Sequence, residues 1–137
     1  MKALILAAHG SRQPASAREV AALAEKLDEK VRKDRAKGIY TVAHAFLQFC
    51  TPSLETVIQG LAEQGVDEMI IFPFFISAGS HVQSDIPREV DKVRSRYPGV
   101  RFSITRHLGV LEPIEEIILN EAAAGNEAFS PGIQAGR

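Results

Sequence analysis

The chain contains 137 residues, of which 45% are hydrophobic and 24% charged, and its formal net charge is −1. These values are ordinary for a globular domain and give no sign of a nucleic-acid partner. No apolar run approaches the roughly 20 residues that cross a bilayer, which argues against a transmembrane segment. Because Cys50 is the single cysteine, an internal disulfide is excluded and a reducing compartment is favoured.

These totals predict a simple domain plan. We expect a single α/β domain over residues 1–124 and a flexible C-terminal tail over residues 125–137, where Gly, Pro and Ser occur without apolar periodicity. Because Met1 and Lys2 run straight into a strand-like segment, we expect no signal peptide and a cytoplasmic location. Neither a membrane nor a nucleic acid is expected as a partner.

Four apolar runs typical of strands alternate with four amphipathic segments. The strand-like runs cover residues 3–8, 39–47, 68–76 and 100–105. The first run is continuously apolar, as in a strand that is covered on both faces. The fourth run alternates between apolar and polar residues, which favours a position nearer a sheet edge.

The amphipathic segments predict helices between and after the strands. The first helix begins at Pro14 and ends at Gly38, and the second begins at Thr51-Pro52 and ends at Gly65. The third begins over residues 84–87 and stops at 97–99, and the last is marked by Leu111, Ile114, Ile117 and Ile118. This alternation with short connections predicts an α/β fold: a doubly wound open parallel sheet of about four strands with helices on both faces.

Two histidines stand directly after predicted strands. His9 follows the first strand and precedes Gly10, Ser11 and Arg12, while His81 follows the third strand in a loop that contains Gly79 and Ser80. Parallel strands bring their carboxyl ends to one edge, which is where open α/β sheets bind ligands. Imidazole is also a common ligand for transition metals. The pair therefore suggests a metal or proton-transfer site, although each histidine alone is equally typical of a turn or an exposed loop.

Other polar residues near this edge have weaker signals. Gln48 ends the second strand, but its amide is a poor metal ligand and carries no negative charge. His44, inside the same strand, is more typical of an interior histidine, and His107 follows the strand that we place nearest an edge. The lone Cys50 is most simply a small buried hydrophobic residue.

Aromatic and basic side chains offer a second set of candidates. Five phenylalanines provide flat apolar surface suited to a macrocycle, although core packing is the default interpretation for most of them: Phe46, Phe49, Phe72, Phe74 and Phe75. Arg12, Arg88 and Arg106 are candidates to pair with substrate carboxylates near the carboxyl edge.

Three segments of the chain resemble a known family. They are residues 4–12, which contain HGSR, residues 45–54, and residues 71–87, which combine PFF, a small-residue loop with His81, and DIP. In their order and spacing these segments resemble the small form of the class II chelatases, the CbiX-type sirohydrochlorin cobaltochelatase family. HGSR alone is a weak signal, whereas the block that ends in DIP is much more specific.

The resemblance implies a function and a site. It implies insertion of a divalent metal into sirohydrochlorin during tetrapyrrole and cobalamin biosynthesis, with cobalt as the first choice and nickel or ferrous iron as alternatives. The metal is a substrate, and no organic cofactor is expected. His9 and His81 would be the catalytic and metal-binding residues. Substrate contacts would come from Gly10, Ser11, Arg12, Gln48, Gly79 and Ser80, and the small form implies a homodimer that binds the tetrapyrrole in a cleft.

Two other functions stay open, and a departure from the family pattern favours the first of them. Members commonly carry a glutamate where this chain has Gln48, so a charge and a base are missing. This favours, as the main alternative, a non-catalytic carrier of the tetrapyrrole or metal. A histidine phosphatase is a third hypothesis, but Ala7 and Ala8 stand where that chemistry needs an arginine before the histidine.

Overall fold

The computed structural model describes residues 1–125, and for residues 80–83 it describes the backbone alone. Strands and helices alternate along the chain as expected. The elements are β1 (Lys2–Ala8), α1 (Pro14–Lys33), β2 (Thr41–Phe46), α2 (Leu54–Glu63), β3 (Glu68–Pro73), α3 (Ser80–Arg94), β4 (Arg101–Ile104), a 3-10 turn (Leu108–Val110) and α4 (Pro113–Ala123). Within these described residues, no helix has the length and apolar character needed to cross a membrane.

The four strands form one parallel sheet in the order β2-β1-β3-β4. The predicted fold class is therefore confirmed, and β4 lies at an edge as its alternating pattern indicates. β1 is central and pairs with both β2 and β3, which explains its continuous apolar sequence. Parallel pairing brings the carboxyl ends of all four strands to the same side of the sheet.

Alternate residues of β1 pack into two separate cores. Ala3, Ile5 and Ala7 face the cluster that α2 and α3 complete, whereas Leu4 and Leu6 face α1. Because side chains alternate along a strand, this division places α1 on one face of the sheet and α2 and α3 on the other. Helices therefore cover both faces, as a doubly wound sheet requires.

Several helix ends differ from the predicted ones. α1 ends at Lys33 instead of near Gly38, which lies in the turn that leads to β2. α2 begins after Ser53, whose hydroxyl accepts the N–H of Thr56, so the cap lies two residues beyond Thr51. The prediction of a hydroxyl cap was right, but residue type alone does not show which of Thr51 and Ser53 is the N-cap residue.

α3 begins at Ser80, four residues before the predicted start at Ser84, and Pro87 lies inside it. The prediction was wrong because it took Pro87 as a sign of the first helical turn. Proline is favoured there, and inside a helix it removes a backbone hydrogen bond. Ile86 and Val90 are 2% and 4% exposed in the main core, and this packing fixes the helix on both sides of the proline.

α4 is present as predicted, but its apolar side chains are not buried. Ile117, Ile118 and Leu119 are each about 60% exposed, and Ile114 is only half-buried. The helix packs against the 3-10 turn that precedes it. Apolar periodicity indicated the helix correctly, but it did not indicate which surface would cover it.

Candidate functional site at the carboxyl edge

The loops that follow β1 and β2 are joined by their backbones. Beyond the strands, the N–H of Leu47 donates to the carbonyl of Ala8 at 2.9 Å, and the N–H of Gln48 donates to the carbonyl of His9 at 3.0 Å. Gly10 has φ +95°, and a Cβ there would lie 1.8 Å from the carbonyl oxygen of Gln48. Only glycine permits both this backbone conformation and this approach. The sequence therefore places Gln48 beside His9 through main-chain contacts.

His9 lies beside an aromatic ring from the segment that follows β3. Its half-buried imidazole stacks on Phe75, with ring centroids 4.6 Å apart and an angle of 30° between the planes. Phe75 also stacks with His107, at 5.8 Å and 25°. Because β3 lies between β1 and β4, Phe75 contacts both the residue after the central strand and a residue after the edge strand.

Phe75 and His107 were not included among the site residues predicted from sequence. A signal for both existed, since each follows a strand by two or three residues on the same edge of the sheet. The phenylalanine was expected in the core, and Phe46, Phe72 and Phe74 do pack there. Phe75 differs from Phe72 and Phe74 in the face of the sheet that it occupies, since it packs against the core completed by α2 and α3 and they pack against the core completed by α1.

Ser11 and Arg12 are engaged by the loop that follows β2. The Cys50 thiol donates to the carbonyl of Ser11 at 2.9 Å and lies 3.4 Å from its N–H, while the Ser11 hydroxyl accepts the N–H of Gln13. The Arg12 guanidinium lies 4.7 Å from the ring centre of Phe49, which is 58% exposed and has φ +66°. In this arrangement the N–H of Ser11 points to sulfur, so an anion would have to displace that contact.

The second predicted histidine is described only by its backbone. His81 and Ser80 lie in the first turn of α3, so the expectation of a loop was wrong, and their side chains lie outside the described part of the structure. Gly79 is the exposed N-cap residue of this helix. The meeting of His9 and His81 at one cleft therefore stays a prediction. Among the side chains that the structure describes, no three His, Cys, Asp or Glu converge as a metal cage.

His44 and Arg88 lie away from the His9–Phe75 pair. Burial lowers the pKa of His44 below its usual range, with Glu25 acting in the opposite direction, and its ring contacts Phe46 edge-on. This agrees with the interpretation of His44 as an interior histidine. Arg88 donates to Asp85 and to the hydroxyl of Ser84 along α3. Of the three arginine candidates, Arg12 and Arg106 lie in loops at the carboxyl edge.

Comparison with known protein families shows which family this chain resembles. A family model described as CbiX matches residues 3–124, almost the whole of the described chain. This chain belongs to the CbiX family. The resemblance inferred from the HGSR, Gln48 and DIP segments is thereby confirmed.

Two curated relatives show how the chain compares in length with other proteins. It is 34% identical to the sirohydrochlorin cobaltochelatase of Methanopyrus kandleri over 88 residues, which cover 64% of this chain and 57% of that protein. It is 27% identical to the sirohydrochlorin ferrochelatase of Bacillus subtilis over 117 residues, which cover 85% of this chain and 42% of that protein. The chain thus spans about half the length of these relatives.

A solved structure agrees with the CbiX assignment. SirB from Bacillus subtilis, determined with Fe3+, superposes with a TM-score of 0.77 at 26% identity. The match covers 92% of this chain and 48% of SirB. One CbiX unit of this size therefore corresponds to half of the longer protein.

Proposed function

We propose that this CbiX protein inserts a divalent metal into a sirohydrochlorin-type tetrapyrrole. The observation that carries the proposal is His9, which is held at the end of the central strand by Gly10 and stacked on Phe75. The relatives named cobaltochelatase and ferrochelatase support the substrate class. Cobalt is our first choice, with ferrous iron and nickel as alternatives.

The chemistry needs a group that holds the metal and then releases it. Insertion into a free-base tetrapyrrole replaces two pyrrole N–H protons by one M²⁺, so the two protons must leave. A neutral imidazole can bind the metal, or accept a proton once it is vacated, but it cannot do both at once. We assign metal binding to His9 and His81, and proton acceptance to a vacated imidazole or to water. Loop N–H groups and arginines would hold the carboxylates of the substrate.

The decisive experiment is a spectroscopic metallation assay with sirohydrochlorin and each of Co²⁺, Ni²⁺ and Fe²⁺. The wild-type protein should metallate faster than solvent alone, and His9→Ala or His81→Ala should abolish that gain because each removes a metal ligand. His44→Gln is the matched control, since His44 lies inside β2 and not at its carboxyl end. Wild-type rates in both alanine variants would refute the assignment of the histidines.

A non-catalytic carrier is the second candidate, and Gln48 is the observation that favours it. Its amide can neither carry a negative charge nor accept a proton. A carrier would bind the tetrapyrrole stably without faster metallation than solvent. Because the Gln48 side chain is exposed and its loop is held by backbone contacts, Gln48→Glu should fold normally. Activity that appears only in this variant would favour a carrier that descends from a chelatase.

We also infer that the protein acts as a homodimer with the tetrapyrrole between two copies. The exposed apolar side chains of α4 support a partner surface, because large apolar patches mark interaction sites. The Bacillus subtilis ferrochelatase supports the same assembly, since a match over 85% of this chain covers only 42% of that protein and leaves room for a second unit of the same size.

A further inference from the structure

A cavity of about 320 Å³ opens beside the His9–Phe75 pair, between the ends of β3 and β4 and the first half of α3. Most of its lining is apolar, and the polar groups come from the segment that follows β4. Ligand cavities in proteins occupy roughly 300–1,000 Å³. This one lies at the small end of that range, a size that suits one edge of a macrocycle. The apolar lining consists of Pro73, Phe75, Ala78, Ile86, Ile104 and Val110.

The segment that carries the polar groups has a fixed path. The N–H of Thr105 continues the ladder by donating to Ile71 at 3.0 Å, and the N–H of Gly109 donates to the carbonyl of Phe75 at 3.3 Å. A Cβ at Gly109 would lie 1.6 Å from the carbonyl oxygen of Ile76, so the turn approaches the segment after β3 as closely as a glycine allows. His107, between these two anchors, is further held by stacking on Phe75.

Arg106 gives this apolar cavity a positive charge. Among the side chains that the structure describes, no carboxylate forms an ion pair with Arg106, whereas Arg101 at the start of β4 pairs with Glu68 at 2.9 Å. His107 lines the same cavity and adds an imidazole that can donate a hydrogen bond. An apolar cavity is complementary to a carboxylate attached to a flat apolar group when its rim carries an imidazole and a guanidinium that no described carboxylate pairs with.

We propose that Arg106 and His107 form a carboxylate subsite for one peripheral arm of the tetrapyrrole, whose pyrrole edge enters the cavity against Phe75. This inference rests on the proposed function. The subsite would fix which edge of the ring turns toward β4, and so set how the central pyrrole nitrogens face His9. Arg106 and His107 are then specificity-determining residues that touch substrate and take no part in metal transfer.

The test is a metal-free absorbance or fluorescence titration with sirohydrochlorin and with its methyl ester. Arg106→Gln should weaken binding of the free acid by about tenfold, because a hydrogen bond to a charged group is lost, and should leave binding of the ester unchanged. Arg101→Gln is the matched control, since Arg101 lies on β4 at the opposite end and pairs with Glu68. His107→Phe, which keeps the ring but removes its N–H, should weaken binding, whereas His107→Gln should retain most of it.

The outcomes separate the subsite from the chelatase proposal. If wild-type protein metallates sirohydrochlorin but Arg106→Gln binds the free acid as tightly as wild type, the subsite is wrong and the function stands. An equal loss for the acid and the ester would also overturn it, because the carboxylate would not be the group recognised. If the wild-type protein neither binds nor metallates the tetrapyrrole, the proposed function itself fails.

Discussion

At the scale of single residues, Gly10 decides the distance between His9 and Gln48. Gly10→Ala would place a methyl group 1.8 Å from the Gln48 carbonyl at φ +95°, so the two loops must separate. We expect a loss of more than about 1 kcal/mol in the free energy of unfolding. We also expect the metallation rate to fall by roughly a hundredfold, since displacement of a reacting group by about 1 Å costs that much.

Thermal unfolding and the metallation assay measure both effects of Gly10→Ala. Gly99→Ala is the control, because a Cβ there meets no atom within 4 Å. If Gly10→Ala unfolds and metallates like wild type, the loop contact does not position His9.

The positions of His9 and Gln48 could be predicted because each lies within two residues of a strand end, and the ends of parallel strands share an edge. The stacking of His9, Phe75 and His107 could not be predicted in the same way. The stacking depends on how many residues separate each ring from the end of its strand. The three strands end at different points: Ala8, Pro73 and Ile104. Apolar composition alone does not set those end points.

At the scale of elements, Asp28 joins α1 to the start of β2. Its carboxylate accepts the hydroxyl of Thr41 at 2.9 Å, the N–H of Val42 at 2.8 Å and the guanidinium of Arg32 at 2.7 Å. Burial raises the pKa of Asp28, but these three donors outweigh it, so the pKa lies below its usual value. The ionised form therefore stabilises the contact between the helix and the edge strand.

Asp28→Asn should lower the free energy of unfolding at pH 7 by about 1–3 kcal/mol, because hydrogen bonds to a charged acceptor are weakened. Since the folded-state pKa is depressed, this stabilisation is complete above about pH 4 and is lost as the pH falls further. Urea unfolding at pH 7 and pH 3 should show the difference between the two proteins shrinking in acid. Asp91→Asn, at an exposed pair with Arg94, should change stability little. A difference that stays constant with pH would contradict this role for Asp28.

The types and order of the elements could be predicted, whereas their ends could only be located approximately. α3 shows the reason, because Pro87 indicates a helix start locally while Ile86 and Val90 hold the helix on both sides of it against the core. Local rules compare neighbouring residues, but the packing that outweighs them involves residues distant in the chain.

At the scale of the whole molecule, α4 provides the test of self-association. If two copies meet through this helix, replacing both Ile117 and Ile118 by Gln should shift the protein from dimer to monomer at micromolar concentration. The reason is that each of these side chains is about 60% exposed in a single chain and would lose its apolar contact area. Sedimentation equilibrium measures the change.

Tyr40→Gln is the control for the α4 variant, since Tyr40 is exposed beside β2 at the opposite edge of the sheet. A wild-type protein that sediments as a monomer, or a double variant that stays dimeric, would contradict the assignment of α4. The sequence indicated the helix and its apolar residues, but assembly depends on a surface that a single chain does not contain.

The loop around Gln48 is held by main-chain contacts, so its conformation does not depend on which side chain stands at position 48. The N–H of Gln48 bonds to His9, its carbonyl accepts from Cys50 and faces Gly10, and its amide group extends into solvent. A single nucleotide change between glutamine and glutamate codons can therefore switch the acidity of the site at almost no conformational cost. Metal preference or turnover in this lineage could diverge by such substitutions while the scaffold remained constant.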